Sequence, residues 1–296
     1  MTSPQAAPAG LRRRPPAALG LLLPGIAALI FAYVLPMAWV ARMSVNRYVD
    51  GGGIEQTFTG ESFAEIVTDS YYLQVAGTTV WLGVVVAALT VVVAYPLAMF
   101  LVRTESRFKG LLTMLAIAPM LVSSVARTYG WVIVLGNQGL VNSFLRALGI
   151  SERPLQLSNN FTGVVIALVQ IFLPYAVLAM TSGFGRLDRN VEQAAASLGA
   201  SRRQVFTRVT LPLTLPGVLT GALLVFVLAI SAYVTPRLMG GGRVVVLATE
   251  IYDQATNRLN WPLAASLSVV LIVIFGVAMA GSQALQRRAE RKASGQ

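Results

Sequence analysis

Bond-making chemistry needs side chains that can hold a proton, a metal or a nucleophilic lone pair, and this sequence has few of them. It contains no cysteine and no histidine. Disulfide frameworks, thiolate or imidazole metal centres, and Cys–His or Ser–His catalytic pairs are therefore excluded. Lysine occurs only at Lys109, after Phe108, and at Lys292, after Arg291. A phosphate-cradling P-loop needs Gly-Lys followed by Ser or Thr, so the chain has no nucleotide site of that kind. Of its 12 acidic residues, five (Asp50, Glu55, Glu61, Glu65 and Asp69) crowd into one segment, and none falls inside a long apolar run. Intramembrane hydrolases need a buried acid or base, and proton- or sodium-coupled carriers usually place one at membrane depth, so both classes are disfavoured. No cofactor or metal site is expected.

Two sets of residues remain. One is the segment from Glu192 to Pro212, rich in small and helix-favouring residues. The other is a scatter of polar and aromatic side chains beside apolar runs: Arg127, Tyr129, Trp131 and Tyr233.

The elements that must position them follow from charge spacing. The 296-residue chain is 55% hydrophobic and 12% charged, about half the charged share of an ordinary soluble domain. Uncharged runs cover 15–41, 70–102, 110–126, 128–145, 154–185, 209–236 and 259–286. A helix needs about 20 apolar residues to cross a hydrocarbon core of about 30 Å. Six spans result, over 18–40, 74–102, 111–134, 161–182, 213–235 and 263–284, the third continuing past Arg127. The first apolar run is too long for an ordinary signal peptide, so it reads as an uncleaved span. The fold class expected is an all-α integral membrane protein. Its units are 1–73 (tail, first span and external loop), 74–285 (the body with the other five spans) and 286–296 (a basic tail).

With the N-terminus in the cytoplasm, fifteen of the 23 basic residues fall on the inside, among them Arg12–Arg14, Arg103, Lys109, Arg186 and Arg287. Seven fall outside. This asymmetry is what the positive-inside rule expects, with both termini cytoplasmic in the cell membrane. The net charge of +11 is thus a topology signal in contact with membrane lipid, and no nucleic-acid partner is expected.

The first outside loop, 41–73, should turn at Gly51-Gly52-Gly53 and start a short helix with Ser62 and Glu65 as a capping box. The long inside loop between spans four and five should form a helix, a sharp turn and a second helix. Gln193-Ala194-Ala195-Ala196-Ser197-Leu198 favours helix. Gly199 stands where helices end in a left-handed residue. Ser201 and Gln204 have capping-box spacing and begin the second arm, which carries Val205, Phe206 and Val209. Pro212 and Pro216 limit where the next helix starts.

This segment resembles the EAA loop of type I ABC importer permeases. Gly199 is followed by nine residues, then Val209, Thr210, Leu211 and Pro212, which matches the family's spacing without a gap. Leu198-Gly199-Ala200-Ser201 and Leu215-Pro216-Gly217 extend the match. One position departs: Gln193 stands where the family has glutamate, with Glu192 one residue earlier. The similarity implies that Glu192, Gln193, Ala194, Ala195, Gly199, Ala200, Ser201, Phe206, Leu211 and Pro212 couple the chain to separate ABC ATPase subunits. A second permease subunit and an external solute-binding protein complete the expected assembly.

The segments Arg127-Thr128-Tyr129-Gly130-Trp131 and Leu238-Met239-Gly240-Gly241 look like the corresponding regions of spermidine/putrescine-type permeases. That resemblance implies uptake of a polyamine or related cationic solute, with no bond-making on this chain. Arg127 has two readings, as a snorkelling or paired structural charge or as part of the solute path. Tyr129, Trp131 and Tyr233 likewise read either as interfacial aromatics or as a cation–π wall. Glu250 and Asp253, in the last outside loop, read either as alternative cation contacts or as charges of a solvated loop. The competing functional reading is a stand-alone carrier or channel-like protein.

Overall fold

The computed structural model describes residues 24–49, 51, 53–185 and 189–293. The tail with Arg12–Arg14, the start of the first span, Asp50, Arg186 and the last three residues of the basic tail lie outside the described residues. In chain order the elements begin with α1 (Pro24–Met43), β1 (Arg47–Val49), β2 (Gly53–Glu55), α2 (Glu61–Thr68) and α3 (Ser70–Arg103). Next come α4 (Lys109–Ile117), α5 (Ser124–Leu135), α6 (Leu140–Ala147), α7 (Phe161–Phe184) and α8 (Arg189–Ser197). The chain ends with α9 (Arg202–Ile230), α10 (Val234–Met239), α11 (Leu247–Thr256) and α12 (Trp261–Ala293).

Among the described residues, α1, α3, α7, α9 and α12 are each long and apolar enough to cross a bilayer. Their starts are set by local chemistry. Asp69 caps α3 by accepting from the Tyr71 amide at 2.8 Å, and Asn160 caps α7 by accepting from the Gly163 amide at 2.8 Å. Pro96 and Pro174 sit inside unbroken helices, as neighbouring helices allow in a membrane bundle.

The third expected span is not one helix. α4 runs into a 3₁₀ turn, Ala118–Leu121, and after Val122 and Ser123 the chain restarts as α5; the two arms meet at 92°. Pro119 lacks the amide that would continue the α ladder, and both Val122 and Ser123 are extended. Counting the bent pair as one span gives six.

Two expectations about helix starts fail. α2 begins at Glu61, not behind Ser62: the Thr59 hydroxyl takes the Glu61 amide at 3.1 Å, and Ser62 is buried without a capping bond. The second arm after Gly199 is no separate helix but the first turns of α9. A π turn, Phe206–Thr210, carries the ladder up to Pro212, and the widened turn accommodates the amide that proline lacks inside the continuous helix. α9 also ends at Ile230, so Tyr233 falls in the break before α10. The outer loop adds an unforeseen hairpin, with β1 and β2 antiparallel and Tyr48 opposite Ile54.

α3, α7 and α9 form the core. Gly183 of α7 and Gly217 of α9 lie in direct backbone contact, and Gly83 of α3 faces Phe226 and Ile230 of α9. Small residues let membrane helices approach this closely, gaining dispersion where no hydrophobic effect operates between helices. A smaller cluster, Ile66, Tyr72, Val75, Leu247, Leu263 and Leu267, binds α2, α11 and α12 to the head of α3. Across this junction the Thr79 hydroxyl accepts the Leu247 amide at 2.8 Å, capping α11 from another helix.

A Cβ on Gly183 would lie 2.5 Å from the Gly217 Cα, whereas a Cβ on Gly77 of α3 meets nothing within 4 Å. Gly183→Ala should therefore cost about 1–3 kcal/mol through overpacking. Gly77→Ala should be neutral or slightly stabilising, because alanine favours helix. Thermal unfolding of both variants in detergent measures the contrast.

Candidate functional site

The elbow made by α8, Gly199 and the start of α9 is built from local signals. Gly199 adopts φ +86°, and its bond from the Gly199 amide to the Ala196 carbonyl at 3.0 Å closes α8. Ser201 then caps α9 reciprocally: its side chain accepts the Gln204 amide at 3.3 Å, and the Gln204 side chain accepts the Ser201 amide at 2.8 Å.

Glu192 fastens this elbow to the bundle. Its Oε1 accepts from Arg103 at the end of α3 at 2.5 Å and from the Thr210 hydroxyl on α9. The Glu192 side chain is only 17% exposed, so it faces its own chain. Gln193, Ala194 and Ser201 are exposed, as are Phe206, Leu211 and Pro212, whereas Ala195 and Ala200 are half-buried. Leu198, at the tip, is 89% exposed. The neighbouring glutamate and glutamine thus do different things: Glu192 anchors inward and Gln193 is presented outward. Behind the elbow, Tyr95 packs edge-on against Phe184 and Phe206, and its hydroxyl lies 3.2 Å from Thr214.

Of the four residues proposed for the solute path, the structure joins two. Arg127 and Trp131 lie one helical turn apart on α5, and both donate to α7: Arg127 to the Ile171 carbonyl at 3.2 Å and Trp131 to Gln170 at 3.1 Å. The Arg127 Nε is buried without a partner. Tyr129 is 53% exposed, and Tyr233 stacks on Tyr252 of α11 with centroids 4.6 Å apart. Thr128 meets Thr235 at 3.0 Å, which ties α5 to α10.

Sequence reasoning misplaced one functional candidate. Glu250 is not in a solvated loop: it lies on α11 and is 3% exposed. Its Oε2 accepts from the Tyr71 hydroxyl at 2.7 Å, and its Oε1 from Gln254 at 2.8 Å. Gln254 also donates to the Tyr72 hydroxyl at 3.3 Å. On α2, partial burial and then the charge of Asp69 push the pKa of Glu65 up. The available signal was the four-residue spacing of Glu250 and Gln254, which puts both on one helix face. Among the described residues, no group of three or more acidic side chains could hold a metal ion.

Large apolar side chains stand exposed around the bundle, including Phe31 and Trp39 on α1, Val92 on α3 and Val277 on α12. A water-facing surface does not tolerate so much contiguous apolar area, but lipid does. This bundle, with an organised elbow joined to two of its spans, defines a multi-pass membrane permease. The chain belongs to the family of inner membrane components of binding-protein-dependent transport systems, which it matches over residues 91–294, and it resides in the inner membrane as an ABC importer permease. It is 31% identical over 249 residues to the spermidine/putrescine transport system permease protein PotB of Escherichia coli K12, spanning 84% of this chain and 90% of that protein. It is 30% identical over 264 residues to the molybdenum transport system permease protein ModB of Mycobacterium bovis, spanning 88% and 91%. In fold it is similar to a chain of a bacterial alginate ABC transporter, with TM-score 0.70 and 16% identity over 92% of this chain and 94% of that one. A chain of the MetNI methionine ABC transporter gives 0.55 and 14%, over 73% and 95%.

Removing the Glu192 carboxylate leaves the Thr210 hydroxyl, 1% exposed, without its acceptor and Arg103 without this partner. Glu192→Ala should cost about 1–3 kcal/mol locally. Amide hydrogen exchange should speed up across residues 189–198 and stay unchanged in α7.

Proposed function

We propose that this chain is the six-span subunit of an ATP-driven importer for a polyamine or related ammonium compound. An external binding protein delivers the solute, two separate ATPase subunits drive the cycle, and a second permease completes the path. Residues 74–285 form the working body of this chain. Both termini and the elbow face the cytoplasm, a reading supported by the excess of arginine on that side. The chain makes and breaks no bonds itself, in keeping with its lack of a Gly-Lys nucleotide motif.

The observation that carries this reading is the Glu192 bridge. A groove on the ATPase receives α8, with Gln193, Leu198 and Phe206 offered to it. Because Glu192 holds both Arg103 of α3 and Thr210 of α9, a push on α8 reaches two core spans together. Those spans pack on α7 and on each other through glycine contacts stiff enough to move as one body. ATP-driven closure thereby favours one orientation of the path and its reopening the other, which is alternating access. The polyamine assignment is supported by the likeness to the PotB relatives and by the acidic, tyrosine-lined outer cluster around Glu250.

Gly199→Asp tests the coupling. The space around Gly199 is open, so the substitution acts through the left-handed backbone and an added charge at the docking face. Membrane levels should match wild type, while ATPase recovered with the purified chain should fall at least about tenfold, the equivalent of about 1.4 kcal/mol of docking energy. Undiminished co-purification would overturn the coupling role. Putrescine import by the isolated chain in proteoliposomes, with neither ATPase nor binding protein, would overturn the importer reading altogether.

A further inference from the structure

Glu250 carries a charge that its surroundings leave unanswered. The carboxylate is 3% exposed, yet both of its donors, Tyr71 and Gln254, are neutral. A carboxylate offers about four acceptor positions, so two stay open. The nearby guanidinium of Arg258 is engaged by Asp253 at 3.3 Å. A buried charge without a counter-ion is costly, and a fold that needed only a brace here could use an amide at lower cost. The carboxylate also borders a cavity of about 300 Å³, whose lining includes Tyr71, Arg237, Val244, Thr249, Glu250 and Asp253. That volume lies at the small end of the range for small-molecule sites. The one basic side chain of the lining, Arg237, is exposed, so water weakens its opposition to an arriving cation without removing it, whereas Glu250 is buried.

We propose that this cavity is a subsite for an ammonium group of the solute, with the Glu250 carboxylate as its counter-ion. The proposal deepens the polyamine reading and rests on it for the identity of the solute. On the outer face an arriving cation meets the site before the core spans. Tyr71 and Gln254 hold the carboxylate in place, while Thr79 fixes the start of α11 that carries it.

Thermal unfolding of the purified full-length chain, titrated with putrescine or with uncharged 1,4-butanediol, tests the subsite. Putrescine should raise the wild-type midpoint and butanediol should not. Glu250→Gln should weaken the apparent putrescine affinity at least about tenfold, as loss of a buried charged partner does. Tyr71→Phe removes a hydrogen bond but keeps the charge, so it should lower the baseline midpoint and preserve the putrescine response. Arg237→Gln, on the exposed rim, should tighten putrescine binding, and it tests the charge logic even if Glu250→Gln does not fold. An equal response in wild type and Glu250→Gln, no wild-type response at millimolar putrescine, or no change in Arg237→Gln would each overturn the subsite. Putrescine uptake by the complete reconstituted transporter separates the two levels. A Glu250-dependent shift without uptake would sink the import reading alone, and uptake with an unchanged KM in Glu250→Gln would sink the subsite alone.

Discussion

A carboxylate that accepts from two helices at once is the joint on which this architecture turns. Without Glu192, α8 would be a short amphipathic helix of nine residues, too short to hold its shape alone. With it, the same helix is fixed to the end of α3 and to the second turn of α9. The partly shielded setting matters, because an Arg–carboxylate pair in open water contributes almost nothing. Here the acid is mostly covered, it also takes the buried Thr210 hydroxyl, and the charge-assisted bonds gain strength from that cover. Tyr95, Phe184 and Phe206 pack behind it, so the joint has an aromatic backing.

The bundle itself follows from a simpler rule, that hydrocarbon offers no partner to a stray polar group. Several threonine and serine hydroxyls within the spans turn back onto their own helices, as Thr214 does to Thr210 and Ser268 to Ala264, whereas the Thr90 and Ser282 hydroxyls are buried without a partner. Others bridge elements, as Ser266 does to the Ser44 carbonyl at the end of α1. Arg127 obeys the rule only in part. It reaches the Ile171 carbonyl near Pro174 of α7, and its Nε is left over.

How much of this was readable in the residues depends on the range of the determining interaction. Uncharged runs located α1, α3, α7, α9 and α12, because crossing a bilayer is a property of composition and length. The left-handed Gly199 and the Ser201–Gln204 box were readable because each closes within four residues. The Ser62–Glu65 box had equally good spacing and did not form, because the helix starts at Glu61 and leaves Ser62 inside its first turn, past the capping position. The 92° bend after Pro119 was masked by continuous hydrophobicity. Glu250 was hidden for a different reason. Its burial depends on Tyr71, 179 residues earlier, and no window of sequence contains both. The division of labour between Glu192 and Gln193 was equally out of reach, since it rests on contacts to α3 and α9.

α3 carries the elbow's anchor at one tip and the buried acid's tyrosine at the other. Its 34 residues make a rod of about 50 Å, and a lean of about 5° swings one tip by roughly 4 Å relative to the other. Since the Tyr71 hydroxyl and the Thr79 cap both reach α11, the far tip cannot swing without dragging or releasing that helix. A tilt of α3 that displaces its Arg103 end is therefore matched at its Tyr71 end by a shift comparable to a hydrogen-bond length, which gives this helix the form of a lever as well as a wall.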